Sequence, residues 1–213
     1  MMTRKWFGYI GIGSLMCAAL GCGILYTRQA RLQQAISDKV LRFHVLANSD
    51  SEADQNLKLA VRDAVGSFMQ EKLAAVENLE ECELVVRQSL GEIEEAAAEI
   101  IVENGYDYDV TAELEHTSFP VKNYGSYTFP AGDYEALRIV IGEGNGHNWW
   151  CVMYPNMCFS DSMYEVVDKE AGEKLREVLT TEEYEKVLAE GDYQVRMKYF
   201  SWLNPYLEML AEN

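Results

Sequence analysis

No charged side chain interrupts the stretch from Trp6 to Tyr26 (WFGYIGIGSLMCAALGCGILY). Wound as a helix, a run of that length spans a hydrocarbon core of about 30 Å. Arg4 and Lys5 precede it as a short basic region, and it is rich in Gly and Ala, as export signals often are. Three fates fit these residues: cleavage, for example after Ala19-Leu20-Gly21; retention as a single anchor; or lipidation at Cys22, against which Leu20 counts as a large residue ahead of Gly21. Arg28 and Arg31 stand just beyond the far end, so the positive-inside bias is slight and charge alone leaves the orientation open. Residues 1–26 therefore read as a signal peptide or N-terminal membrane anchor, 27–39 as a short helical stalk, and 40–213 as one folded domain. Membrane contact is expected through residues 1–26 alone.

The whole chain has 213 residues, 48% of them hydrophobic, and a formal net charge of −17. The length left after the leader suffices for one core. The acidity argues against nucleic acid, whose phosphates it would repel. It would suit a partner with a basic face, although the plainer reading is a solvated surface.

The pattern after the stalk alternates between helical and extended periods. Val40–Ala47 (VLRFHVLA) is apolar on both faces, with Arg42 and His44 interrupting one of them, and belongs in the middle of a sheet. A helix then starts at Ser49 with Glu52 as a capping box, or less favourably at Ser51 with Asp54. Leu57, Ala60, Val61, Ala64, Val65 and Phe68 form its apolar stripe, while Asp54, Lys58 and Arg62 follow one another at i+4 and are placed to pair in series. A second helix covers Leu79–Glu103 and stops at Asn104-Gly105. Tyr106–Glu115 alternates apolar and acidic residues as a strand. Between Phe119-Pro120 and Phe129-Pro130 lies an aromatic excursion with short extended pieces. Tyr134–Ile141 is a largely buried strand, and Trp149–Tyr154 is expected to return as its hairpin partner. Ser162–Glu177 and Thr181–Glu190 are helical, and Tyr193–Ala211 reads as a strand followed by a helix. The sum is an α+β domain: a mostly antiparallel sheet with helices packed on one face.

Chemistry-bearing motifs are few. Gly142-x-Gly144-x-Gly146 precedes a strand rather than a helix, so it is a turn and not a phosphate cradle. His44, His116 and His147 lack paired-ligand spacing, and no metal site or cofactor is expected. No nucleophile elbow, Walker motif or HExxH occurs, and no catalytic residue is assigned. Outside the cytoplasm Cys151 and Cys158 could close a short loop as a disulfide worth about 2–3 kcal/mol, leaving Cys82 unpaired; the alternative is two buried thiols. Phe119, Tyr124, Tyr127, Phe129, Trp149 and Trp150 form an aromatic cluster in which neighbouring Trp149 and Trp150 must face opposite ways. One of the pair needs a cover: a helix, a loop or a partner.

Leu41–Val65 (LRFHVLANSDSEADQNLKLAVRDAV) resembles the N-terminal signature of the stage II sporulation protein R family. Phe119–Phe159, with FPVKNYG and FPAGDYEALRIVIGEGNGHNWWCVMYPNMCF, resembles its second signature. The likeness covers most of the chain after the leader and fades beyond about Asp161. It implies a protein of endospore-forming bacteria, made in the forespore and exported into the space between the two membranes separating it from the mother cell. There it would activate a membrane-embedded aspartic protease that cleaves the precursor of the first mother-cell sigma factor, as a signal and not as an enzyme. The expected contact face comprises Asn48, Asp50 and Asp54 with Tyr124, Trp149 and Trp150. Alternatives are a cell-wall hydrolase of the intermembrane space and an anchored structural protein of the envelope.

Overall fold

The computed structural model describes residues 3–157 and 169–188, with side chains at 19–157 and 172–188. Along the chain run α1 (Thr3–Ser37), β1 (Leu41–Leu46), α2 (Glu52–Lys72), α3 (Leu79–Glu103), β2 (Val110–Phe119), β3 (Lys122–Tyr124), β4 (Tyr127–Phe129), β5 (Gly132–Ile141), β6 (Asn148–Tyr154), α4 (Lys169–Val178) and α5 (Thr181–Leu188). The main sheet has the order β2-β5-β1-β6, and β3 and β4 form a separate two-stranded ribbon. The expected α+β domain is thus observed.

β1 is central because it is apolar on both faces. It pairs in parallel with β5 (Phe43 opposite Leu137) and antiparallel with β6 (Phe43 opposite Cys151). This corrects the expected hairpin between β5 and β6: β1 lies between them, and the glycine loop crosses over its end. The β2–β5 pair is antiparallel over its whole length, from Val110 opposite Ile141 to Phe119 opposite Gly132.

Odd-numbered residues of β1, Phe43 and Val45, enter a core with Leu57, Val61, Val65 and Met69 of α2 and with Val86, Ile93, Ala97 and Ile101 of α3. Full burial of such side chains contributes about 1.5–3 kcal/mol each. The exposed Lys72–Glu92 pair between the same helices adds at most about 1 kcal/mol. Apolar packing therefore fixes α2 and α3 on the sheet. The opposite face is also covered, where only one covered face was expected. Ile36 at the end of α1, Phe129 of the ribbon, Leu175 of α4 and Tyr184 and Val187 of α5 close a second core over Phe119, Tyr134, Ala136 and Val152. The stalk is consequently the docked end of α1.

Two boundaries moved. Ser51, not Ser49, caps α2, its hydroxyl accepting from Asp54 N at 3.1 Å, because the Ser49 hydroxyl is engaged by the Asp54 carboxylate. β2 begins at Val110 instead of Tyr106, since Gly105 (φ 84°) turns the chain and Tyr106 N still closes α3 by donating to Ile101 O. Among the described residues no helix is long and apolar enough to cross a membrane, so the anchor expectation finds no support there and the Trp6–Tyr26 run still rests on sequence. Ser162 to Asp168 and the Tyr193–Ala211 reading lie outside the described residues.

Candidate functional site

The parallel strands β1 and β5 end side by side, and the loops that follow them interlock. Asn48 is the joint. Its Oδ1 accepts from Glu143 N at 3.0 Å, its carbonyl accepts from Asn145 N at 3.1 Å, and its Nδ2 donates to Asp54 Oδ2 at 3.0 Å. Close approach is possible because the crossing chain carries glycines: a Cβ on Gly142 would lie 3.0 Å from Asn48 Cγ, at a φ of 56° that also favours Gly.

Asp54 is buried beneath this joint. Its carboxylate accepts from Ser49 Oγ and Asn48 Nδ2 and, at 3.2 Å, from Tyr108 Oη. The hydrogen bonds from Ser49 and Asn48 hold its carboxyl below the usual carboxylate range, while burial and the same carboxylate push the Tyr108 hydroxyl up. The series Asp54–Lys58–Arg62 does not pair as expected. Lys58 Nζ reaches Gln55 Oε1 and, at 3.0 Å, His147 O; Arg62 turns to Asp63 and lies 5.0 Å over the Trp149 ring. Lys58 and Arg62 instead combine a near neighbour on α2, Gln55 and Asp63, with a tertiary contact, the His147 carbonyl and the Trp149 ring. At the exposed tip, Asp50 accepts from both the backbone N and Nδ1 of His147, which lowers the Asp50 carboxyl.

The six residues of the expected contact face divide between two places. Asn48, Asp50 and Asp54 come together, and Trp149 lies on their side of the sheet against Phe43, with centroids 5.5 Å apart. Trp150 and Tyr124 belong to the other side. Trp150 stacks on His44 at 5.0 Å and 4°, and Tyr124 Oη accepts from Arg42 Nη2 at 2.9 Å. Both tryptophans are half-buried, each covered from within the chain.

Sequence reasoning passed over Arg42, read only as an interruption of an apolar strand. The guanidinium is wholly buried, with Phe119, Tyr124, Phe129 and Tyr134 ring centroids 4.4–5.7 Å from Cζ. Its Nε donates to Cys151 O at 2.8 Å. The signal was present: a charge kept inside a strand apolar on both faces needs a dedicated environment. His44, two residues on, is buried too, and that burial, against an upward pull from the Asn148 hydrogen bond and with the Arg138 and Arg42 charges, pushes its imidazole from 6.5 down to about 4.

An acid response follows. Above pH 6.5 His44 is neutral folded or unfolded. Between 6.5 and about 4 only the unfolded chain binds the proton, so stability falls with pH across that window, by about 3 kcal/mol in all. The carboxyls of Asp50 and Asp54, already below their ordinary value, act at lower pH. Urea unfolding at pH 7 and 4.5 should show the decline in the parent and much less of it in His44→Gln; parallel declines would assign it elsewhere.

Cys151 is disulfide-bonded, while Cys82 is a free buried thiol that burial raises to about 12. Cys158 lies outside the described residues, and the Cys151–Cys158 bridge is a prediction. Non-reducing peptide mapping should recover these two cysteines on one linked fragment; linkage of Cys151 to any other cysteine would refute it. His44, His116 and His147 are dispersed, and no group of metal-ligating residues occurs among the described residues.

Comparison with known proteins is specific. The family model described as "Stage II sporulation protein R" matches residues 37–164, a span containing both interlocked loops and the Arg42 box. "Stage II sporulation protein R" of Bacillus subtilis (strain 168) is 40% identical over 147 residues, covering 67% of this chain and 66%, just under two thirds, of that protein. No solved structure matches the chain.

Proposed function

The chain belongs to the stage II sporulation protein R family, and from that membership we propose that it is an exported signal of endospore formation, acting between forespore and mother cell. Its target in this reading is a membrane-embedded aspartic protease that processes the mother-cell sigma factor precursor. The family match across residues 37–164 carries the proposal. The uncharged Trp6–Tyr26 run supports delivery by export, and the disulfide at Cys151 suits an oxidising compartment.

A signal of this kind acts by binding one state of its receptor in preference to the other. Taking a protease from about 1% to 99% active requires roughly 10⁴-fold tighter binding to the active state. The exposed Asp50–His147 tip, with Trp149 behind it, is the proposed contact, because its side chains project from loops rigidly held by Asn48, Asp54 and Lys58.

The test is reconstitution. The full chain, the protease and the precursor are co-expressed, with crosslinking to detect the complex and N-terminal sequencing of the mature chain. Precursor cleavage should require the chain. Asp50→Ala and His147→Ala, both on exposed side chains, should each reduce cleavage at least tenfold while leaving secretion unchanged. Cleavage without the chain, or peptidoglycan hydrolysis by the chain alone, would reject the reading. Normal signalling by both variants would reject the tip as the contact.

A further inference from the structure

Cationic groups converge at one place in this acidic protein. Arg42 and His44 alternate on β1 and project from one face, and each has a buried nitrogen, Nη1 and Nε2, without a hydrogen-bond partner. Lys122 Nζ lies 5.8 Å from the centroid of the Trp150 ring, which itself stacks on His44. Arg138, opposite His44 in register, has its charge answered by Glu113 and Glu115 at 3.7 and 3.6 Å. Among the described residues neither Arg42 nor Lys122 forms an ion pair with a carboxylate. A buried guanidinium without a counter-charge is costly.

The β3–β4 ribbon covers this place, with Phe129 fully buried and Tyr127 meeting Tyr184 of α5. Tyr124 is half-buried, and its hydroxyl is the Arg42 partner contributed by the β3–β4 ribbon. That ribbon is not hydrogen-bonded into the main sheet, and two strands alone are marginally stable. Both side chains lie against the Phe119 ring, with Arg42 Cζ 4.4 Å and the His44 ring centroid 5.2 Å from its centroid, so they share one neighbourhood. A carboxylate has two oxygens, each able to take one charge-assisted bond of about 2.8 Å.

We propose that Arg42 and His44 form a receptor for a carboxylate, which enters beneath the β3–β4 ribbon, takes Arg42 Nη1 and His44 Nε2, and displaces the Tyr124 hydroxyl. The carboxylate comes from a small free acid or from an acidic side chain of a docking protein. With Nδ1 donating to Asn148 Oδ1 at 3.2 Å, Nε2 carries a lone pair, so the anion arrives with a proton that settles on Nε2. Arg42 and Arg138 oppose that proton until the negative charge is in place, and binding is therefore tighter at pH 5 than at pH 8.

The inference stands apart from the signalling reading and is tested without the protease. The full ¹⁵N-labelled chain in detergent micelles is titrated at fixed ionic strength with malonate, with a capped glutamate-rich hexapeptide, and with chloride. Saturable shifts of the Arg42 Nε–H and His44 ring signals are expected with one or both carboxylates and not with chloride. The affinity should rise at least tenfold from pH 8 to pH 5. Response to malonate identifies a free acid as sufficient; response to the peptide alone identifies a protein-borne carboxylate. Arg42→Met should abolish the shift at His44. Tyr124→Phe, which removes the competing hydroxyl, should bind several-fold tighter and decides the matter if the Arg42 variant fails to fold. No saturable shift with either carboxylate, an equal response to chloride, or unchanged affinity in Tyr124→Phe overturns the proposal.

Discussion

Gly146→Ala is expected to destabilise the domain by about 4 kcal/mol, near the upper end for a single methyl group. The added Cβ would stand 2.6 Å from the carbonyl carbon of Ser49 and 2.9 Å from Ala47 Cβ, and the first of these is backbone that cannot rotate away. Overpacking of this kind alone costs roughly 1–3 kcal/mol. Relieving it requires the two loops to separate, which breaks the bonds from Gly146 N to Ala47 O (2.9 Å) and from Asn145 N to Asn48 O (3.1 Å), at about 0.5–1.5 kcal/mol each. Gly91→Ala, in the middle of α3 where nothing lies within 4 Å, is the matched control. It should be neutral or stabilising by up to about 1 kcal/mol. Paired urea denaturation curves check both. Equal small effects would mean that the loops are not interlocked as described. The consequence for function is direct: in Gly146→Ala the Asp50–His147 tip loses its fixed position even in the fraction of molecules that remain folded.

The elements whose shape is set by their own neighbours were legible in the sequence. α3 runs from Leu79 to Glu103 as its periodicity and the Asn104-Gly105 stop imply, and Gly105 takes the left-handed φ that the stop requires. β1 is central, as a strand apolar on both faces should be. What depends on distant partners was not legible. Alternation in Trp149–Tyr154 identifies a strand but is silent on its neighbour, and β6 joins β1 because the loop from Gly142 to Gly146 crosses over Ala47 and Asn48. Ser49, with Glu52 three residues on, is the better cap by pattern, yet the Asp54 carboxylate, held in the joint by Asn48 and Tyr108, takes the Ser49 hydroxyl and leaves the cap to Ser51. The same distinction divided the expected contact face. Tyr124, Trp149 and Trp150 look alike as aromatics, yet strand alternation and the ribbon put Trp149 with α2 and the other two around Arg42 and His44.

Arg42 gives the second large effect, and the direction depends on what replaces it. Arg42→Ala removes nearly all of a fully buried side chain and leaves a cavity walled by Phe119, Phe129 and Tyr134, so a loss of about 3–5 kcal/mol is expected. It also strands Cys151 O, which accepts from Nε at 2.8 Å. Arg42→Met fills much of the same volume with an apolar, adaptable side chain. Stranding Cys151 O and losing the ring contacts counts against it, but so does the burial of a guanidinium count against the parent, and burial is the chief force lowering the Arg42 pKa. These terms nearly offset, and the stability of Arg42→Met should lie within about 2 kcal/mol of the parent. Thermal and urea unfolding of the two variants measures the contrast. If Met costs as much as Ala, the guanidinium is a structural necessity and its aromatic box needs no other explanation. If Met is tolerated while precursor cleavage or carboxylate binding is lost, packing does not account for a charge at this position. The unpartnered Nη1 then marks Arg42 as held in the core for what it binds.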